Sequence, residues 1–68
     1  MDEYTYIVGI KSDNRVISYP KEFDSIDEAL SFGKNKVKNG TEATINVCKV
    51  INGVVNEATV IYTTTFTK

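Results

Sequence analysis

The residues of this chain that could do chemistry are few and poorly assembled for it. Cys48 stands alone in a run of β-branched residues, and the sequence contains no histidine. That absence removes the usual general base, the commonest metal ligand and every Ser-His or Cys-His pair. Cys48 is placed mid-strand, away from any helix terminus that would stabilise a thiolate, so a packed or simply exposed thiol is the expected state. Asp24, Asp27 and Glu28 could gather a hard cation, but acids at a helix start more often cap it and complement its dipole. Gly9 stands by itself, with neither P-loop nor GxGxxG spacing around it. No cofactor or metal is implied, and enzymatic activity is not expected.

The charge balance argues in the same direction. The formal net charge is −1, the isoelectric point is about 5.2 and Arg15 is the one arginine. Such a chain has no general electrostatic pull on nucleic acid or an anionic membrane. A sheet that reads nucleic acid carries aromatics on its open face with cations around them. Here Tyr4, Tyr6, Tyr19 and Tyr62 map to the face expected to be covered, and Lys34, Lys36 and Lys38 scatter around a helix. Nucleic-acid binding is therefore not expected, and weak single-strand binding is kept only as an alternative.

Residues 1–68 form one domain, near the lower size limit for a self-sufficient core. The hydrophobic fraction of 41% and charged fraction of 25% are those of a globular protein rather than a disordered one. A lone cysteine permits no internal disulfide, which suits a reduced, cytoplasmic setting. The opening MDEYTYIVGI has no basic region followed by an apolar block, and no apolar run approaches the ~20 residues of a membrane span. Asn39-Gly40-Thr41 matches a glycosylation sequon by letters and is read as a helix end.

These residues need elements to position them. Residues 4–10 are rich in aromatic and β-branched side chains and read as a first strand. Asp13-Asn14 marks a hairpin tip, with residues 15–19 as a second strand that Pro20 should end. That tip sets Ser12 opposite Arg15, Ile10 opposite Ile17 and Val8 opposite Tyr19. Ser25-Ile26-Asp27-Glu28 has the capping-box spacing of a helix start, the three lysines suit the other end, and Gly40 is the expected left-handed stop. On that helix Ile26, Ala29, Leu30, Gly33 and Val37 share one stripe, where Gly33 allows close approach to a sheet. Phe32 falls off the stripe. Residues 42–51 form a third strand, and Asn52-Gly53 is a strong hairpin signal leading into a long fourth. A simple two-residue loop there places Ile51 opposite Val54, Val47 opposite Ala58, Ile45 opposite Val60 and Thr64 opposite Thr41.

The expected fold is α+β, ββαββ: a four-stranded antiparallel sheet, preferred order 2-1-3-4, with one helix packed on one face. The expected core comprises Tyr4, Tyr6, Val8, Ile10, Ile17, Tyr19, Ile26, Leu30, Val37, Ile45, Val47, Val60 and Tyr62. Three surfaces then stand out as candidate partner contacts. The first is the edge of the fourth strand, Val60, Tyr62, Thr63, Thr64, Thr65 and Phe66, where Thr65 to Lys68 should overhang the third. The second is the open sheet face, with Ile7, Val16, Cys48, Val50, Val55 and Ile61. The third is the helix flank at Phe32.

A long edge without charges or proline is either twisted away by a bulge near Asn56-Glu57 or open to another strand, most simply a second copy in a homodimer. A frayed tail with Phe66 folded over the helix end is the plain alternative. The expected function is a small non-enzymatic protein-binding module. Its Asn, Lys, Ile and Tyr content suggests a phage-type inhibitor of a host enzyme or defence system. A nucleotide-type ligand sequestered at a dimer crevice near Lys49, Arg15 and Asn46 is the alternative from another class.

Overall fold

The computed structural model describes residues 3–68. The elements run β1 (Tyr4–Ser12), β2 (Arg15–Phe23), α1 (Ile26–Lys36), β3 (Glu42–Ile51) and β4 (Val54–Thr67). The strands make one antiparallel sheet in the order β2-β1-β3-β4, the order preferred from the sequence over those with strands 2 and 3 adjacent, and α1 packs on it.

Both tight turns use left-handed pairs. Asp13 and Asn14 have φ of 51° and 63°, and Asn52 and Gly53 have φ of 53° and 73°. Positive φ at both central residues gives the turn a twist that matches the flanking strands. The first hairpin holds the expected register, with Ser12 opposite Arg15, Ile10 opposite Ile17 and Val8 opposite Tyr19. Pro20 does not end β2, however. The strand continues to Phe23, which lies opposite Tyr6, leaving residues 20–22 to bulge opposite Ile7. An edge strand tolerates proline because one side of its ladder has no partner to satisfy.

Ser25 caps α1: its hydroxyl oxygen accepts from the Glu28 amide at 3.2 Å, beside Asp27 and Glu28 in the first turn. The helix stops about one turn sooner than expected. Val37 is its C-cap, extended at φ −72° and ψ 131°, yet its side chain stays buried. Gly40, expected as the stop, instead turns the chain into β3 at φ 81°. The turn is held by Thr41 N–H donating to the Lys38 carbonyl at 3.1 Å and Gly40 N–H donating to the Lys68 carbonyl at 2.8 Å.

The core lies between α1 and the middle of the sheet: Val8, Ile10, Phe23, Ala29, Val37, Ala43, Ile45 and Val47. Gly33 fixes the helix height, since a Cβ there would sit 2.9 Å from Ile45 Cγ2 and 3.1 Å from Val8 Cγ1. Tyr6, Tyr19, Leu30, Phe32 and Phe66 ring this centre, half-buried. Tyr4, Ile17, Ile26, Val60 and Tyr62, expected inside, are exposed. Val60 is turned to the other face by the β4 register; for Tyr4, Ile17 and Tyr62 the cause is the helix's reach. Eleven helical residues span about 16 Å at 1.5 Å each, on a molecule 42 Å long.

The β3–β4 ladder departs most from the simple register. Ile51 faces Val54 as expected, but Lys49 faces Thr59, so residues 55–58 stand opposite the single residue Val50. A second bulge inserts Ile61 between the pairs Cys48–Val60 and Val47–Tyr62. From there Tyr62 to Thr67 pairs without interruption with Val47 back to Glu42. The expected pairings of Val47 with Ala58, Ile45 with Val60 and Thr41 with Thr64 are thereby corrected. The two bulges absorb four residues, which removes the expected overhang: Thr67 lies opposite Glu42, and the Lys68 amide donates to the Thr41 carbonyl at 3.2 Å.

Candidate functional site

The two outer edges of the sheet are unlike. The β2 edge carries exposed Pro20, Lys21 and Glu22 and a bulge at those residues, the devices that discourage further strand pairing. The β4 edge carries one acid, Glu57, and both of its bulges lie before Tyr62. Tyr62 to Thr67 is regular, free of charge and free of proline, with no strand on its outer side. Thr63 is held on its inner side, its hydroxyl donating to Asn46 Oδ1 at 2.9 Å.

Register also assigns side chains to faces. Tyr62, Thr64 and Phe66 lie opposite Val47, Ile45 and Ala43 and share the helix face. Thr63 and Thr65 lie opposite Asn46 and Thr44 on the open face. Val60, expected on the helix face, lies opposite Cys48 on the open one. Phe66 packs against the core with the Lys34 ammonium 5.5 Å from its ring centre.

The open face is less available than the sequence suggests. Ile7 and Val50 are 8% and 0% exposed and so are removed from any contact surface. Each sits where the adjoining edge strand bulges, at residues 20–22 and 55–58. A bulge bends a strand and increases its twist, which draws each edge toward this face. Cys48 is half-buried, and burial pushes its thiol pKa up, as for an inert rather than a nucleophilic cysteine. Val16, Val55 and Ile61 are exposed.

Phe32 is engaged internally. Its ring meets Tyr19 edge-on at 5.4 Å and Phe23 at 5.0 Å, with the Lys21 and Lys36 ammonium groups 5.5 and 5.1 Å from its centre. Lys49 stands 3.8 Å over Tyr4 in the same way. Cation–ring pairs occur roughly once per 70–80 residues in proteins, and here lysines stand over Tyr4, Phe23, Phe32 and Phe66. Sequence periodicity missed this use of Phe32, although the flanking Lys21 and Lys36 were a readable signal.

The residues named for a nucleotide-type crevice do not converge within one chain. Arg15 is at the β1–β2 tip, Asn46 is on the open face bonded to Thr63, and Lys49 is on the helix face over Tyr4. Among the described residues, no three His, Cys, Asp or Glu side chains gather as a metal site, and no helix is long and apolar enough to cross a membrane. Comparison with family models, curated proteins and solved structures finds no match to this chain. The geometry of its own surface is what a functional reading must rest on.

Proposed function

We propose that this chain is a non-enzymatic protein-binding module whose docking element is the outer edge of β4, and that its partner is a second copy of itself. The observation that supports this is the regular stretch Tyr62-Thr63-Thr64-Thr65-Phe66 on an unguarded edge. An isologous contact requires a surface complementary to itself. Read from either end, this stretch is aromatic, three threonines, aromatic.

Set antiparallel about a two-fold axis at Thr64, Tyr62 of each copy faces Phe66 of the other on the helix face. Thr63 faces Thr65 on the open face. Aromatic and Thr–Thr cross-strand pairs are among the favourable ones, worth about 0.2–1 kcal/mol each. No two like charges face each other across the axis. The product is a continuous eight-stranded sheet with both helices on one side.

Sedimentation equilibrium is expected to show a dimer. Thr65→Lys places two ammonium groups diagonally across the axis and is expected to give a folded monomer. A wild-type chain that stays monomeric at millimolar concentration overturns the reading.

A further inference from the structure

The early end of α1 leaves part of the helix face unroofed. Between the Val37–Thr41 segment and the β1–β2 hairpin lies a groove of about 250 Å³. Its floor is Ile10, Ile17, Tyr19, Val37 and Ala43. Ile17 is 50% exposed there, an aliphatic side chain on the core side of the sheet with nothing over it. Had the helix continued to Gly40, this floor would be covered.

The rim is charged, and unequally so. Arg15, Lys36 and Lys38 border the groove against one acid, Asp13, giving a local excess of two positive charges on a chain whose net charge is −1. Lys36 leans over the Phe32 ring, while no carboxylate engages Arg15 or Lys38 among the described residues. Ser12 and Thr41 add hydroxyl groups beside them.

We propose that this groove binds a small single-chain aliphatic carboxylate, its tail on the Ile10–Ile17–Val37 floor and its head group among Arg15, Lys36 and Lys38. Three features favour this ligand class. The floor is mainly branched aliphatic, and its one aromatic ring is already in edge contact with Phe32. The volume is below the ~300–1,000 Å³ of drug-sized pockets, which suits a small ligand with a single short tail. Arg15 presents a planar fork that matches a carboxylate's two oxygens. The groove touches the end of β4 only through Ala43, opposite Phe66, and Thr41, bonded to Lys68; none of Tyr62 to Phe66 lines it, so its test does not depend on self-pairing.

The test is an amide-resolved NMR titration of the ¹⁵N-labelled protein with octanoate, octyl phosphate and octanol. Octanoate is expected to give saturable shifts confined to residues 10–19 and 36–43, with octanol at least tenfold weaker. Octyl phosphate binding as tightly as octanoate would assign the groove to phosphate-headed amphiphiles and overturn the carboxylate assignment. Octanol binding equally well, shifts centred elsewhere, or no saturation with octanoate would overturn the proposal outright. The Arg15→Gln/Lys38→Gln double variant alters only exposed side chains. It is expected to keep the wild-type melting temperature and weaken octanoate at least tenfold; undiminished binding by this folded variant would also overturn the proposal.

Discussion

Gly33 and Cys48 show what single positions decide. Gly33 was legible in the sequence as the close-approach residue of the helix stripe, because a residue without Cβ in the middle of an apolar stripe has few other uses. Ile45 and Val8, the side chains its missing Cβ would strike, are both fully buried and have little room to yield. Gly33→Ala gains up to about 1 kcal/mol of helix propensity but overpacks the core at a cost of about 1–3 kcal/mol. The net effect is expected to be a loss, read as a lower urea midpoint; a raised midpoint would show the helix free to lift. For Cys48, burial raises the thiol pKa above its ordinary 9.0. The folded state therefore holds its proton longer than the unfolded chain does. Stability from this group is unchanged well below pH 9 and declines as pH climbs past the unfolded value. Reaction with a disulfide reagent at pH 8 should be slower for the native protein than for the urea-unfolded chain. Val60 was not legible at this scale, since its face depends on a bulge upstream of it.

At the level of elements, the hairpins, the helix start and the strand order were all readable, because each rests on local chemistry that tertiary packing did not override. Asn52-Gly53 and Asp13-Asn14 place a boundary by backbone preference, and Ser25 by its side-chain cap. Ser25→Ala should lower stability by about 1 kcal/mol by leaving the Glu28 amide without its acceptor; an unchanged melting temperature would mean the cap is replaceable by water. A bulge near Asn56-Glu57 was readable as one way to guard the edge, and residues 55–58 do bulge; its size and the second bulge at Ile61 were not, since neither carries an obligatory glycine or proline. Their total of four extra residues is even, and side chains alternate with period two. Tyr62, Thr64 and Phe66 therefore reach the helix face that a plain ladder also assigns them, while Thr59 and Val60, between the bulges, are inverted. The helix end was missed for a different reason. Gly40 carries the expected left-handed conformation, but it serves the turn clasped by Lys68 rather than the helix.

For the whole molecule, the governing fact is a short helix on a long sheet. It leaves lysines against several aromatics and an open groove beside the first hairpin, while the outer edge of β4 has no strand beside it. The proposed self-pairing of β4 can be separated from any folding defect by mixing variants. Thr63→Glu and Thr65→Lys are each expected to be monomeric, and together to form a heterodimer in which the introduced carboxylate of one chain faces the introduced ammonium of the other. Failure of the mixture to associate counts against the Thr64-centred register. Glu3 exchanges hydrogen bonds with Asn52 at one extremity, and Lys68 is fastened to Gly40 and Thr41 at the other. They are separated by the length of β3, about 33 Å for ten residues. If β4 pairs with itself as proposed, cargo fused after Lys68 crowds the pairing strand, whereas a fluorophore or domain joined on the Glu3 side lies at the far end of β3, so the position of a label is expected to select between single and paired forms.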